Sequence, residues 1–183
     1  MDIRVEKTEK AIRNAFLELR ASKPLEKITV KELCALACIN KSTFYSHYED
    51  IYALSQMLES ETITAVLKNI SSQQESPFKD PDVFTRNLYL ALVSNNSLIN
   101  ILFSGAEKSH FGDCLETELK RLILQKYPQY EVDAEKDIML SFCIQGCFHA
   151  YLNNQKNDLD TLVRVSETIV RRLAPLYMKD IRD

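Results

Sequence analysis

The stretch from Thr29 to Tyr48, TVKELCALACINKSTFYSHY, constrains the fold more than any other part of this sequence. It opens with Thr29-Val30-Lys31-Glu32, a capping box in which the Thr29 hydroxyl and the Glu32 carboxylate satisfy amides that a helix start leaves open. Apolar residues then recur at helical spacing, at Val30, Leu33, Cys34 and Ala37. The pattern predicts a short helix that packs on one side.

A second helix is predicted directly after the first, because Asn40 is a good N-cap for a helix starting at Lys41. The few residues between the two helices make this a helix-turn-helix. Phe44 and Tyr48 lie four residues apart and are predicted to pack inward. The outward side chains are small or hydrogen-bonding: Lys41, Ser42, Tyr45 and Ser46. Such a face suits a DNA major groove, where donors, acceptors and small contacts read the base edges.

At these residues the chain resembles the tetracycline-repressor (TetR) family of bacterial transcription regulators. The resemblance is carried by Ile28-Thr29-Val30, Leu33, Ala37, Ile39-Asn40, the run Thr43-Phe44-Tyr45-Ser46-His47-Tyr48, and Leu54. It implies that four side chains approach bases or nearby backbone: Lys31, Lys41, Ser42 and Tyr45. It also implies phosphate contacts for Thr29, Thr43 and His47.

Two positions depart from the pattern of this family. Cys38 stands where the family usually has a glycine, although the turn prefers a positive backbone angle there. Ile51 stands where the family usually has a phosphate-binding lysine, and Glu49-Asp50 precede it. We therefore expect a lower affinity for the DNA backbone at this point than in a typical member.

The composition predicts an all-α protein. Only three Gly and five Pro in 183 residues favour long helices, and the 45% hydrophobic content is enough for a real core. We predict a three-helix DNA-binding head with the helix-turn-helix at residues 1–50. A long helix then joins it to a larger helical ligand-binding and dimerisation body at residues 51–183.

The charge distribution fits a protein that touches DNA with one end. Residues 1–48 hold nine Lys/Arg against six Asp/Glu, whereas the whole chain has a net charge of -3. A basic head on an acidic body favours a nucleic-acid partner, although ordinary charge scatter explains the asymmetry equally well. The sequence has no secretory signal and no apolar run of about 18 residues or more, so we expect a cytoplasmic protein without a membrane partner.

The five cysteines are expected to be reduced thiols. Cys34/Cys38 and Cys143/Cys147 are spaced i, i+4, and His149 follows the second pair, so a metal site is one interpretation. Structural zinc sites usually have four ligands in recognisable clusters. Small buried side chains are the better interpretation, and no metal or cofactor is predicted.

Helical spacing continues through the rest of the chain. A connector from Asp50 to about Ile70 has an apolar stripe that shifts along its length, which suits a helix serving two cores in succession. A polar loop is predicted at 71–77, and helix ends at Gly105 and Pro128. The remaining helices are predicted from Pro81, over Leu98–Phe103, His110–Lys126 and Ile138–Leu152, and from Leu159 to Tyr177.

The helix at Ile138–Leu152 is apolar nearly all round and is predicted to be buried on all sides, with Gly146 letting a neighbour approach. In the resembled family the last two long helices form a four-helix bundle with a second subunit. QGCFHAYL followed by Asn153-Asn154 looks like the first of these helices. A homodimer is therefore expected, since two recognition helices must meet major-groove faces about 34 Å apart on a two-fold operator.

The resemblance also implies a mostly apolar ligand cavity in the body. Candidate lining residues are Phe84, Leu88, Phe103, Phe111, Phe142, Cys143 and His149. Core packing is the competing interpretation for each apolar residue. A histidine such as His149 on an apolar face is more often a core residue than a ligand contact.

These observations predict a homodimeric transcriptional repressor that binds double-stranded DNA and is released by a small apolar or amphipathic effector. An alternative is a co-regulator whose helical body binds a protein partner that licenses or blocks DNA binding. An enzyme is the third class. The sequence shows no Gly-rich phosphate loop and no recognisable nucleophile-His-acid arrangement, so no catalysis is predicted.

Overall fold

The computed structural model describes residues 3–71, 80–103, 107–126 and 134–177, and all regular structure in these ranges is helical. The all-α prediction is confirmed. The α-helices are α1 (Ile3–Ser22), α2 (Val30–Leu36), α3 (Lys41–Tyr45), α4 (Ile51–Ser71), α5 (Pro81–Ser94), α6 (Asn96–Leu102), α7 (Glu107–Lys126), α8 (Ala134–Asn153) and α9 (Leu159–Tyr177). A 3-10 helix, Leu25–Lys27, follows α1. The predictions for residues 72–77, Gly105 and Pro128 lie outside the described residues.

The chain divides into two compact units. The first is Met1–Thr62 with Ser97–Ala106, and the second is Ile63–Asn96 with Glu107–Asp183. The predicted domain boundary at residue 50 lies inside the first unit. The α6 segment also belongs to that unit, although nothing in its sequence pattern indicates so.

In the first unit, α1 packs on α2 and α2 packs on α3. Helices α1, α2, α3, α4 and α6 each contribute fully buried side chains to this unit: Ile12, Phe16, Leu33, Phe44, Leu54, Ile99 and Leu102. Arg20 is also buried, and its Nη2 donates to the carbonyl of Leu102 at 3.1 Å. This hydrogen bond attaches the end of α1 to the end of α6.

The connector helix α4 takes part in both units. Its first half buries Ile51, Leu54 and Leu58, and its second half buries Ile63, Val66, Leu67 and Ile70. The division between the units falls between Thr62 and Ile63, where the buried stripe shifts. The predicted two-core role of this helix agrees with that burial.

In the second unit, α5 packs on α9, and α8 packs on both α7 and α9. Its most deeply buried side chains are Tyr89, Leu92, Phe111, Leu115, Leu119 and Phe148. Ion pairs between Arg86 and Glu167 and between Arg171 and Asp82 join α5 to α9 at the surface. None of the helices in the described ranges is long and apolar enough to cross a membrane.

The α8 helix differs from its prediction, because one of its faces is open to solvent. Ile138 is 65% exposed and Phe142 is 64% exposed, whereas Ile144 and Phe148 on other faces are buried. Gly146 meets no described atom within 4 Å of an added Cβ. Helical spacing in the sequence shows which faces of a helix are apolar, but not which other helices pack on them. The sequence pattern therefore cannot distinguish a buried apolar face from one without a packing partner.

Gly112, on α7, is the glycine that allows a close approach. A Cβ added there would lie 2.9 Å from the ring of Phe148, which is buried. Phe148 also packs on Phe111 with ring centroids 5.3 Å apart. The close contact between α7 and α8 at this point therefore depends on residue 112 having no side chain.

Gly112→Ala is expected to lower the free energy of unfolding by about 1–3 kcal/mol, because overpacking a dense core forces side chains or backbone to move. Gly146→Ala is the matched control in dilute, monomeric protein, since it adds the same methyl group to a site with no described atom within 4 Å in the single chain. The control should be neutral or stabilising, because alanine favours a helix over glycine by about 1 kcal/mol. Urea unfolding measures both, and equal effects would contradict the packing argument.

A polar network joins α7 to α8. Lys120 Nζ pairs with Glu116 at 3.0 Å and with Asp137 at 2.7 Å. Ser141 Oγ donates to Glu116 at 2.6 Å, and Gln145 Nε2 donates to it at 2.8 Å. Burial opposes ionisation of Glu116, but hydrogen bonds from Ser141, Gln145 and Lys120 outweigh it and lower the pKa of this carboxyl.

This lowered pKa predicts a pH dependence of stability. Ionised Glu116 stabilises the fold above its unfolded pKa of about 4.3, and this contribution is lost as the pH falls through the lower folded pKa. Glu116→Gln should therefore reduce the slope of the unfolding free energy against pH between about pH 5 and pH 3. Urea unfolding at several pH values measures it, and an unchanged slope would contradict the assignment.

Candidate nucleic-acid interface and ligand cavity

The start of α2 is fixed by the predicted capping box. The amide of Glu32 donates to the Thr29 hydroxyl and the amide of Thr29 donates to the Glu32 carboxylate, both at 3.3 Å. Lys23 also donates to Glu32 at 2.8 Å. Hydrogen bonds from Lys23 and then Thr29 hold the pKa of the Glu32 carboxyl below its usual value. The first helix of the helix-turn-helix therefore begins at a defined point.

The turn between α2 and α3 contains the positive backbone angle that its geometry requires. Cys38 has φ of 55°, and the amide of Ile39 donates to the carbonyl of Cys34 at 3.0 Å. The cysteine thus adopts the left-handed conformation that glycine adopts more readily. The turn is therefore formed with Cys38 in the position where the resembled family usually has glycine.

Cys38→Gly is expected to stabilise the protein by about 0.5–1 kcal/mol. A side chain in the left-handed region costs roughly 1–2 kcal/mol, and part of the gain is offset by the larger entropy of unfolded glycine. Ala35→Gly, at an exposed position of α2, is the control and should instead destabilise by about 0.5–1 kcal/mol. Thermal or urea unfolding distinguishes the two, and destabilisation by Cys38→Gly would contradict the strain argument.

The recognition helix α3 is capped at one end and anchored by aromatic side chains. Asn40 Oδ1 accepts from the amide of Thr43 at 2.7 Å. Phe44 is fully buried and packs on Tyr48 with ring centroids 5.9 Å apart. Because this face is held inward, the opposite face of α3 is turned toward solvent.

Most of the side chains proposed from sequence to meet DNA are exposed. Tyr45 is 56% exposed, and Lys31 and Lys41 are exposed. Thr29, Ser42 and Ser46 are exposed as well, whereas Thr43 and His47 are half-buried.

Four of the hydroxyl groups on this face already donate hydrogen bonds within the chain. Ser42 and Thr43 both donate to Asn40 Oδ1, at 2.7 and 2.8 Å. Ser46 donates to the carbonyl of Thr43 at 2.8 Å, and Thr29 donates to Glu32 at 2.9 Å. Their oxygens remain able to accept, so hydroxyl donation to DNA requires an exchange of partners. Sequence reasoning missed this because spacing does not reveal which partner a hydroxyl selects.

The start of α4 accounts for Ile51, the second departure from the pattern of the resembled family. Ile51 is buried in the core, and Asp50 caps the helix by accepting from the amide of Ala53 at 2.7 Å. The neighbouring Tyr52 is 51% exposed and offers a hydroxyl on the outer side of the helix. The position of Tyr52 outside the apolar stripe of Ile51, Leu54 and Leu58 is the sequence signal that could have singled it out.

At least three of the nine basic residues at 1–48 have structural roles. Arg13 pairs with Glu9 and Glu61, and Lys23 pairs with Glu32. Arg20 is buried against Leu102. The positive charge available for an anionic partner is therefore smaller than the count of basic residues suggests.

A partly open pocket with about 30 Å³ of enclosed space lies in the second unit. Its walls come from α5, α8 and α9 and are mostly apolar: Pro81, Phe84, Thr85, Leu88, Lys136, Met139, Leu140, Cys143, Ile144, Cys147 and Val170. Small-molecule sites are usually apolar concavities with few polar groups, and the lining of this pocket is of that kind.

Two buried tyrosines join the helices that form this pocket. Tyr89 Oη donates to the carbonyl of Cys147 at 3.1 Å and lies 2.7 Å from the hydroxyl of Ser166. Tyr151 Oη donates to Asn96 at 2.7 Å. Burial raises the pKa of Tyr89 and raises that of Tyr151 to about 12, so both phenols stay protonated at neutral pH. They hold α5, α8 and α9 together.

Comparison with known proteins gives one informative result. No protein-family model matches the chain, and no curated protein matches it either. Among solved structures, it is similar to the crystal structure of a TetR transcriptional regulator from Rhodococcus sp. RHA1, with a TM-score of 0.51. The match covers 98% of this chain and 99% of that chain at 14% sequence identity.

The chain has the TetR-like fold. At 14% identity the likeness is one of architecture, and it extends over both units. Within the described part of this TetR-like fold, no group of three or more His, Cys, Asp and Glu is placed to hold a metal ion. All five cysteines are free thiols.

The TetR-like fold brings together some of the predicted cavity residues and separates others. Phe84, Leu88 and Cys143 line the cavity. Phe111 is buried against Phe148, and Phe103 is buried in the first unit. Phe142 and His149 are exposed on α8, so His149 does not lie in the core of this chain.

On the TetR-like fold, α8 and α9 carry an exposed apolar strip. We define the strip by Ile138 and Phe142 on α8 and by Val165 and Ile169 on α9, each at least 45% exposed. The two helices pack on each other, and Gly146 lies between Phe142 and His149 along the same face of α8. Large exposed apolar side chains on adjacent helices are typical of interaction surfaces.

Proposed function

We propose that this chain is a sequence-specific DNA-binding transcriptional regulator that acts as a homodimeric repressor and is released by a small apolar or amphipathic ligand. The observation that carries the proposal is the helix-turn-helix at residues 29–48. It is capped at both helix starts and presents Lys41 and Tyr45 to solvent on a TetR-like fold. A small rigid face of this kind suits the major groove.

The proposed DNA contacts fall into groups according to the chemistry of their side chains. Lys31, Lys41 and Tyr45 supply donors toward base edges and nearby backbone, and His47 supplies a ring nitrogen toward a phosphate. Ser42 and Ser46 present oxygens that accept from base amino groups while keeping their internal hydrogen bonds. Thr29 and Thr43 reach phosphates by exchanging their present partners. Tyr52 adds a phosphate contact at the start of α4.

The exposed strip on α8 and α9 is proposed to pack on the same strip of a second copy. Two helices from each chain then form a four-helix bundle, and Gly146 lets the partner helix approach closely. A second copy of this chain is the partner proposed for the strip, because binding to a two-fold operator requires two recognition helices that reach groove faces about 34 Å apart.

The cavity in the second unit is proposed to hold the effector. Ligand binding acts by population shift between conformers of the dimer. A ligand must favour the released conformer by roughly 5.5 kcal/mol to move the ensemble from almost all competent for DNA to almost none. An apolar ligand supplies this difference when the released conformer buries more of its surface, at about 25 cal/mol per Å².

Fluorescence anisotropy tests the regulator proposal. The purified protein is titrated on labelled DNA from the region flanking its own gene, with scrambled DNA as competitor, at two salt concentrations. We expect site-selective binding with a steep salt dependence, since neutralised phosphates release counterions. Equal and weak binding to both DNAs would contradict the proposal.

One observation favours the alternative of a protein-binding co-regulator. Leu90 and Val93 on α5 are 48% and 42% exposed and lie three residues apart, outside the strip on α8 and α9. A partner seated there would license or block DNA binding. In the same anisotropy assay, this alternative predicts selective binding only when a partner is added.

A further inference from the structure

One side chain, Asn40, directs the hydroxyl protons at the start of the recognition helix α3. Its Oδ1 accepts from the amide of Thr43 at 2.7 Å, from the hydroxyl of Ser42 at 2.7 Å and from the hydroxyl of Thr43 at 2.8 Å. A backbone amide can only donate, so the atom of Asn40 that faces it must be the oxygen and not the nitrogen. An amide oxygen can only accept, and both hydroxyls are therefore donors.

This arrangement leaves Ser42 with lone pairs, but no proton, to offer to DNA. A serine hydroxyl has one proton and two acceptor lone pairs, and the proton of Ser42 is directed at Asn40. Ser46 is in the same state for a different reason, because its hydroxyl donates to the carbonyl of Thr43 at 2.8 Å. Both serines are exposed and lie four residues apart, about 6 Å along the helix axis. They form two acceptors on one face, one helical turn apart.

Acceptors of this kind distinguish two classes of base in the major groove. The base donors there are the N4 amino group of cytosine and the N6 amino group of adenine, whereas guanine presents O6 and thymine presents O4 as acceptors. A hydroxyl oxygen that faces a keto oxygen gains no hydrogen bond and is repelled by it. Lys41, the exposed neighbour of Ser42, can only donate and favours the opposite class of base.

We propose that Asn40 is a specificity-determining residue that acts through Ser42. By holding the proton of Ser42, it makes this side chain select adenine or cytosine over guanine or thymine at the position that it faces. Asn40 needs no contact with DNA for this and is a positioning residue. The role goes beyond capping, because a cap requires only the hydrogen bond from the amide of Thr43. The inference rests on the proposed function, since it assigns a base preference to the DNA-binding face.

The test is a base-preference profile. Randomised DNA duplexes are selected with the full-length protein, the bound duplexes are sequenced, and the frequency of each base is counted at each position of the half-site. For the unmodified protein we expect two positions at which adenine and cytosine exceed guanine and thymine on one strand by about tenfold, which is within the usual effect of one mismatched base pair. One position belongs to Ser42 and the other to Ser46.

Variants of Asn40 separate the two positions. Asn40→Gly frees the hydroxyl of Ser42 and keeps a residue that an N-cap tolerates. It should reduce the preference at one position to about twofold or less and retain the other, because the carbonyl of Thr43 still holds the Ser46 proton. Asn40→Asp keeps an acceptor in this place, so it should retain both preferences while its negative charge weakens binding to all DNA.

Ser42→Ala keeps the inference testable if the glycine variant does not fold. Alanine favours a helix and removes the acceptor, so this variant should lose the same single preference as Asn40→Gly. Circular dichroism and thermal unfolding check the fold of each variant. Asp158→Gly is the matched control, since Asp158 accepts from the amide and hydroxyl of Thr161 at 3.0 and 3.2 Å at the start of α9. Its loss should leave every base preference unchanged.

The outcomes separate this inference from the regulator proposal. A profile that is unchanged in Asn40→Gly, or in Ser42→Ala, would overturn the role of Asn40 and leave the regulator proposal standing. Selection of no sequence by the unmodified protein would overturn the regulator proposal, and the base preference with it.

Discussion

Phe142→Glu is expected to leave the protein monomeric and to weaken its binding to a two-fold DNA site by a factor of about 10²–10⁴. The side chain is 64% exposed in the single chain, so the substitution places a carboxylate on the surface and should not disturb folding. In the proposed bundle, however, the carboxylate would be buried without a partner, at a cost of several kcal/mol. In the dimer, binding of one DNA-binding head gives the second head a high effective concentration at its half-site, and a monomer loses this effect.

Leu90→Glu is the matched control for this prediction. Leu90 is 48% exposed on α5 and lies outside the strip, so the same charge should leave both the dimer and DNA affinity unchanged. Light scattering after size exclusion measures the mass, and anisotropy measures DNA affinity. A Phe142→Glu protein that stays dimeric would remove the strip from the interface.

Tyr45→Ala is expected to cost about 1–3 kcal/mol of binding to the specific DNA site and to leave the dimer intact. Tyr45 is more than half exposed at the outward face of α3, while its neighbour Phe44 is fully buried. The edge contact between these rings, with centroids 5.5 Å apart, contributes only about 0.5–1.5 kcal/mol to stability, so the unit should still fold.

Tyr45→Phe distinguishes the two ways in which the ring can act. It keeps the apolar contact with DNA and loses the hydroxyl, so a full loss of affinity would assign the contact to the hydrogen bond. The anisotropy assay with specific and scrambled DNA measures both variants. Unchanged affinity in Tyr45→Ala would remove this residue from the reading face.

Local signals in the sequence predicted the helix-turn-helix well. Caps depend on residues three apart, so Thr29 with Glu32 and Asn40 with Thr43 are readable from sequence alone. The stripe of α4 was readable for the same reason, since helical spacing sets which side chains share a face. The eight DNA-contact residues remain predictions.

The second unit was harder to predict because its site depends on which helices become neighbours. Of the seven predicted cavity residues, three line the cavity, and Phe142 and His149 lie on the open face of α8. That helix is apolar on every side, so its periodicity assigns no face to the cavity. Lys136 and Met139 were missed because they precede the most apolar part of the helix.

The hydrogen bond from Arg20 to Leu102 has a consequence for the order of synthesis. The donor and the acceptor are separated by 82 positions, and the chain between them contributes Ile63–Asn96 to the other unit. On the ribosome, the first sixty residues emerge before the carbonyl that Arg20 needs. Until α6 has been made, the nascent head lacks both this carbonyl and the core side chains Ile99 and Leu102. The two units are interleaved in sequence, so the first unit cannot be completed before part of the second has been synthesised.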